Sequence, residues 1–168
     1  MRAMRTRSHI LGELRTRTGF PFAQVERLER ALTHSSARKD DGADYERLEF
    51  LGDRVLGLVV AELLFRLYPA ADEGELSLRF NQLVSAEMCA EIADELRLHE
   101  LIRAGSDIRS IKGKRMKNVR ADVMESLIAA VYLEGGLDAA RSFVLRFWEA
   151  RASADGGARQ DAKTALQE

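Results

Sequence analysis

Tyr45-Glu46-Arg47-Leu48-Glu49-Phe50-Leu51-Gly52-Asp53-Arg54-Val55-Leu56 is the stretch that decides how this chain reads. Wound as a helix at about 100° per residue, Glu46, Glu49 and Asp53 stand at i, i+3 and i+7 on one stripe about 60° wide. Leu48, Leu51, Val55 and Leu58 fall on the opposite side and are expected to supply a core face. Three carboxylates on one stripe repel one another, and each like-charged pair at this spacing costs a helix about 0.2–0.5 kcal/mol. Arg47 and Arg54 are the local cations that could offset this, and a solvated charged face is the ordinary outcome of such a pattern.

A second acid pair changes that reading. In Arg120-Ala121-Asp122-Val123-Met124-Glu125-Ser126-Leu127-Ile128-Ala129, the acids Asp122 and Glu125 again share one helical face, with Val123, Leu127 and Val131 across from them. Ser126 and Ala129 are small and would let another helix approach. Two helices that each offer acids on one stripe can face each other and hold a divalent cation. An all-oxygen donor set suits magnesium or manganese rather than zinc or iron, and no Glu-x-x-His of the di-iron kind lies on either helix. Ions held in this way activate water for attack on a phosphodiester and stabilise the departing oxygen.

The rest of the chain fits an all-α fold. Its 168 residues include only 2 prolines, and they are 46% hydrophobic and 32% charged, as expected of one helical domain with a sizeable core. Helices are predicted over 9–17, 24–34, from 43 or 44 to about 68, 75–84, 85–98, 118–134 and 138–150. Ser85 reads as an N-cap and Gly135-Gly136 as a stop. Glu73-Gly74 reads as a turn, 35–44 as a loop and 153–160 as a linker. No segment alternates as a strand does. The longest apolar run, Val55 to Phe65, is broken by Gly57 and Glu62, so no membrane span is expected. The basic N-terminus leads into no hydrophobic stretch, and the lone Cys89 has no disulfide partner; both point to a cytoplasmic protein. Cys89, Phe147 and Trp148 read as core residues, and His34 as a capping or packing residue.

Net charge is −1, but the charges are segregated. From Arg109 to Ala121 the chain carries Arg109, Lys112, Lys114, Arg115, Lys117 and Arg120 with no acid among them. This basic loop contains no aromatic residue for stacking on single-stranded bases, and it suits a duplex read through its phosphates. Phe50, beside the acid stripe and away from Leu48, Leu51 and Val55, suggests a surface for a partner.

Glu46-Arg47-Leu48-Glu49-Phe50-Leu51-Gly52-Asp53 matches in full the signature octapeptide of the ribonuclease III family. Ala31-Leu32-Thr33-His34, Asp72-Glu73-Gly74-Glu75-Leu76-Ser77 and Ala121 to Ile128 resemble the family's flanking segments, so the likeness covers nearly the whole chain. The resemblance implies a two-fold homodimer whose Phe50 enters a socket on the other subunit. It implies a Mg²⁺ site, open also to Mn²⁺, made by Glu49, Asp53, Asp122 and Glu125, with Asp53 and Glu125 most critical for hydrolysis. Glu46 and Glu73 become supporting acids, and Lys112, Lys114, Arg115 and Lys117 candidate phosphate contacts. The implied activity is endonucleolytic cutting of double-stranded RNA, in processing of ribosomal and other structured transcripts. Products would carry 5′-phosphate and 3′-hydroxyl ends with a short 3′ overhang. Tyr45 stands where the family usually has asparagine, and Arg54 where a small residue commonly follows the aspartate. Residues 1–152 correspond to the catalytic domain. Residues 153–168 would be a linker and the opening of a truncated double-stranded-RNA-binding domain, which Asp161 to Glu168 resembles. A duplex-binding relative that has lost cleavage would lack some of the four acids, and a mere helical dimerisation module would need none of them; all four are present.

Overall fold

The acid-bearing segment forms the central helix of the molecule. The computed structural model describes residues 6–37, 43–103 and 114–165. Helix α1 spans Arg7–Thr18, α2 Val25–Ala31, α3 Ala43–Leu67, α4 Glu73–Leu83, α5 Ala86–Glu95 and α6 Lys114–Ala165, with 3₁₀ turns at Ser35–Ala37 and Leu98–Glu100. Among the described residues there is no strand, only one isolated parallel bridge between Thr33 and Arg103. The fold is all-α, as expected.

Local chemistry places the ends. Gly19 takes the left-handed conformation that terminates α1 and returns its N–H to the Arg15 carbonyl. The Asp72 carboxylate accepts from Glu75 N–H, and the Ser85 hydroxyl accepts from Met88 N–H, starting α4 and α5. Asp72 as a cap corrects one expectation: Glu73 and Gly74 are not a turn but the first residues of α4. Residues 153–160, read as a linker, continue α6 as helix. Gly136, at φ 81° and ψ −175°, does break α6 where Gly135-Gly136 was read as a stop.

Helix α3 packs chiefly against α6, which also receives α5. Val55, Leu56, Val59, Val60, Leu63 and Leu64 of α3 are buried with Val123, Met124, Leu127, Ile128 and Val131 of α6. Beyond Gly136, α6 adds Ala140, Phe143, Val144 and Trp148, and the Trp148 indole N–H donates to the Leu83 carbonyl at 2.8 Å. Cys89 lies in this core, and Phe147 packs against it.

The core face of α3 is rotated from the one predicted. Leu58 was assigned to it, yet Leu58 is 54% exposed. Leu48 and Val55 are buried and Leu51 packs against the core as expected, and the buried face extends to a row of Leu56, Val60 and Leu64, which continues at i+7, i+11 and i+15 the line begun by Glu49 and Asp53. The acids therefore occupy the upper end of the packed face, not a face opposite it. The outward stripe carries Phe50, Leu58 and Phe65, with Phe50 61% and Phe65 77% exposed.

Candidate metal centre

Gly52 sets the distance between the two acid-bearing helices. A Cβ built on it would stand 1.7 Å from the carbonyl oxygen of Glu125 and 2.5 Å from that carbonyl's carbon. Only a residue without a side chain permits this approach. Sequence reasoning credited the close approach to Ser126 and Ala129, which are indeed buried, but the glycine of α3 makes the contact. Because Gly52 sits between Glu49 and Asp53, the contact brings the acids of α3 to those of α6.

Carboxylate oxygens of Glu49, Asp122 and Glu125 all lie within 4.8 Å of one another, so the three could hold a metal ion. They share a cleft of about 620 Å³ with Glu46, Phe50, Asp53 and Arg54. Burial, and then the neighbouring Asp53, Glu49 and Asp122 charges, push the Glu125 carboxyl up to about 8. Burial and Asp122 push Glu49 up to about 7, opposed by His34. Carboxylates so crowded call for protons or a cation between them.

Asp53 lies in the cleft but outside this triplet. Its Oδ2 pairs with Arg54 Nη1 at 3.0 Å, and the Arg54 guanidinium lies 3.9 Å from the Phe50 ring centroid. Of the four expected ligands, the structure thus clusters three and turns the fourth toward a neighbouring cation.

His34 is the residue that sequence reasoning undervalued. Its Nε2 is 3.8 Å from Asp122 Oδ2, and its ring packs edge-on against Tyr45 at 5.4 Å. The Thr33–Arg103 bridge holds it there, with His34 N–H donating to the Arg103 carbonyl at 2.8 Å. Nothing in local periodicity links positions 34 and 122. Tyr45 is buried beneath the acids, and burial followed by the Asp122 charge pushes its phenol up, so it stays neutral. Neither the Tyr45 nor the Ser126 hydroxyl makes a well-formed hydrogen bond among the described residues.

The other expected residues are dispersed. Glu46 lines the cleft mouth, while Glu73 is exposed at the start of α4 and does not line the cleft of its own chain. Phe50 separates the cleft from a second groove of about 460 Å³, lined also by Arg27, Arg30, Arg47, Leu48, Leu51 and Leu133. Lys117 is on α6, paired with Glu87 at 2.7 Å, and Arg120 pairs with Asp94. Lys112 and the side chains of Lys114 and Arg115 fall outside the described residues; the backbone of 114 and 115 is already helical.

Comparison with known proteins gives consistent matches. Residues 25–150 fit the family described as Ribonuclease-III-like. Ribonuclease 3 of Sinorhizobium fredii is 68% identical over 155 residues, covering 92% of this chain and 65% of the relative. Ribonuclease 3 of Rhizobium meliloti is 69% identical over 150 residues, covering 89% and 63%. The chain therefore spans a little under two thirds of these relatives. The crystallised nuclease domain of ribonuclease III from Campylobacter jejuni superposes with a TM-score of 0.77 at 36% identity, covering 83% of this chain and 96% of that domain; a flexible region of that domain is involved in its dimer formation.

Proposed function

The chain belongs to the ribonuclease III family, and from that premise we propose that it is the nuclease domain of a divalent-metal-dependent endonuclease that cuts double-stranded RNA. The observation that carries the reading is the convergence of Glu49, Asp122 and Glu125 across the Gly52 contact. The donor set is all carboxylate oxygen, half-buried and short of positive charge, and this fits Mg²⁺, with Mn²⁺ as a substitute. Glu49, Asp122 and Glu125 would hold the ion, and Asp53 would complete the set. An ion there supplies water activation and charge neutralisation at the phosphodiester being cut. Asp53 and Glu125 are assigned the hydrolytic step, Glu46 a contact to RNA at the cleft mouth.

Cutting both strands with a short 3′ overhang, and leaving 5′-phosphate and 3′-hydroxyl ends, needs two such clefts. We assign the second to another copy of the chain. Phe50, Leu58 and Phe65 form an exposed apolar stripe, and the groove beside Phe50 offers Leu48, Leu51 and Leu133 as a socket for the partner's aromatic. Glu73, which does not line its own chain's cleft, would act across that two-fold. Lys112, Lys114, Arg115 and Lys117 are proposed to track duplex phosphates, Lys117 by exchanging its Glu87 partner. Residues 1–152 would form the nuclease unit, with 153–168 leading into a duplex-binding domain. Ribosomal precursors and other structured transcripts in the cytoplasm are the proposed substrates; no described helix is long and apolar enough to cross a membrane.

The test is digestion of a long RNA duplex at low salt, with Mg²⁺ and with Mg²⁺ chelated, followed by mapping of the product ends. Staggered fragments with 5′-phosphates, formed only with the metal, are expected. Intact duplex under conditions where the protein binds it would defeat the reading.

A further inference from the structure

We propose that Arg54 is a positioning residue that competes with the metal for Asp53, and so sets the concentration of divalent ion the cleft requires. The inference rests on the metal reading of the cleft. Adjacent residues on a helix point about 100° apart and do not ordinarily face each other. Asp53 and Arg54 nevertheless meet at 3.0 Å. The Phe50 ring, one turn before Arg54, explains why: the guanidinium lies on it at 3.9 Å, which turns the arginine back toward the cleft, and the same Nη1 comes within 3.5 Å of the Phe50 carbonyl oxygen. Asp53 lines the cleft with Glu49, Asp122 and Glu125, but the carboxylate on the arginine is the one left out of their cluster. Bringing Asp53 onto an ion means parting it from Arg54.

Isothermal titration of Mn²⁺ into the wild-type protein, R54A, D53N and the D53N/R54A double variant tests this, with circular dichroism as a check of folding. R47A serves as a control for the simple loss of one nearby positive charge, since Arg47 lies on the other groove. An exposed ion pair of this kind supports an effect of about two- to fivefold. R54A should therefore bind Mn²⁺ about two- to fivefold more tightly than wild type, R47A should not, and the gain should vanish in the D53N background. Equal affinity of wild type and R54A overturns the proposal while leaving the metal reading intact. So does a gain that persists without Asp53 or is matched by R47A, because it would then be a general charge effect. No Mn²⁺ binding by wild type or R54A defeats the metal reading itself.

Discussion

Replacing Gly52 by alanine should damage stability and metal binding together. The added carbon would sit 1.7 Å from the Glu125 carbonyl oxygen, a mid-helix backbone atom that cannot swing aside. Restoring ordinary contact at about 3.5 Å requires α3 and α6 to part by about 1.8 Å there. Overpacking of this kind costs about 1–3 kcal/mol, and a backbone obstacle puts it at the upper end. Alanine's better helix propensity returns about 0.5–1 kcal/mol. The net loss is then about 2 kcal/mol, a fall in Tm of about 4–8 °C for a domain of this size. The same separation pulls Glu125 from Glu49, whose oxygens now lie within 4.8 Å; loss of such support typically weakens metal binding about 10- to 100-fold. The assay is thermal unfolding followed by circular dichroism in chelator, with Mn²⁺ titration in parallel. Gly12→Ala is the control: a Cβ at that exposed position in α1 meets nothing within 4 Å, so it should raise Tm slightly. Gly52→Ala with wild-type Tm and wild-type Mn²⁺ affinity would refute the helix contact as the device that builds the site.

Other expectations concern charge and surface. Glu49 and Glu125 keep protons in the folded state up to about 7 and about 8, against an ordinary carboxylate at 4.5. The stability tied to those protons is complete below the ordinary value and is lost as pH rises through 7 to 8. Denaturant midpoints of the metal-free protein should accordingly fall across that window and level out when Mn²⁺ saturates the site; midpoints that rise instead would contradict the shifts. Mn²⁺ affinity should increase over the same pH range, because binding displaces those protons, and proton release on binding is measurable by titration in buffers of different ionisation heat. Above about pH 8, where Glu125 is ionised, Glu125→Gln removes one charge from the crowded cleft and should raise the metal-free Tm while weakening Mn²⁺ binding; a lower Tm there would count against like-charge repulsion. Phe50→Asp should leave the far-ultraviolet spectrum unchanged, since Phe50 is exposed in the single chain, but should give a monomer by light scattering where the unmutated protein gives a dimer.

The long helix over 43–67, the Ser85 signal and the break at Gly135-Gly136 were legible because each rests on chemistry within a few residues. The pairing of the two acid helices was legible for another reason: matched carboxylate stripes make sense only together. What escaped were properties set by packing between distant segments. Leu58 and Leu51 look equivalent to Val55 by spacing, yet the position of α6 against Gly52 rotates the buried face toward Leu56 and Val60 and leaves Leu58 outside. His34 reaches Asp122 only because the Thr33–Arg103 bridge fixes its strand of chain. Glu73 read as a turn because Gly74 follows it; the cap supplied by Asp72 decides for helix. Arg54 was visible as a departure from the family pattern, and its hold on Asp53 became visible only with the Phe50 ring in place.

The central claim is that Glu125 completes a metal centre that cuts duplex RNA. The direct measurement is duplex cleavage in Mg²⁺ by wild type and Glu125→Gln, at protein concentrations where gel shifts show both bound to the RNA. The account predicts staggered fragments from the wild type and intact, bound duplex from the variant. Cleavage by the variant at the wild-type rate would contradict it.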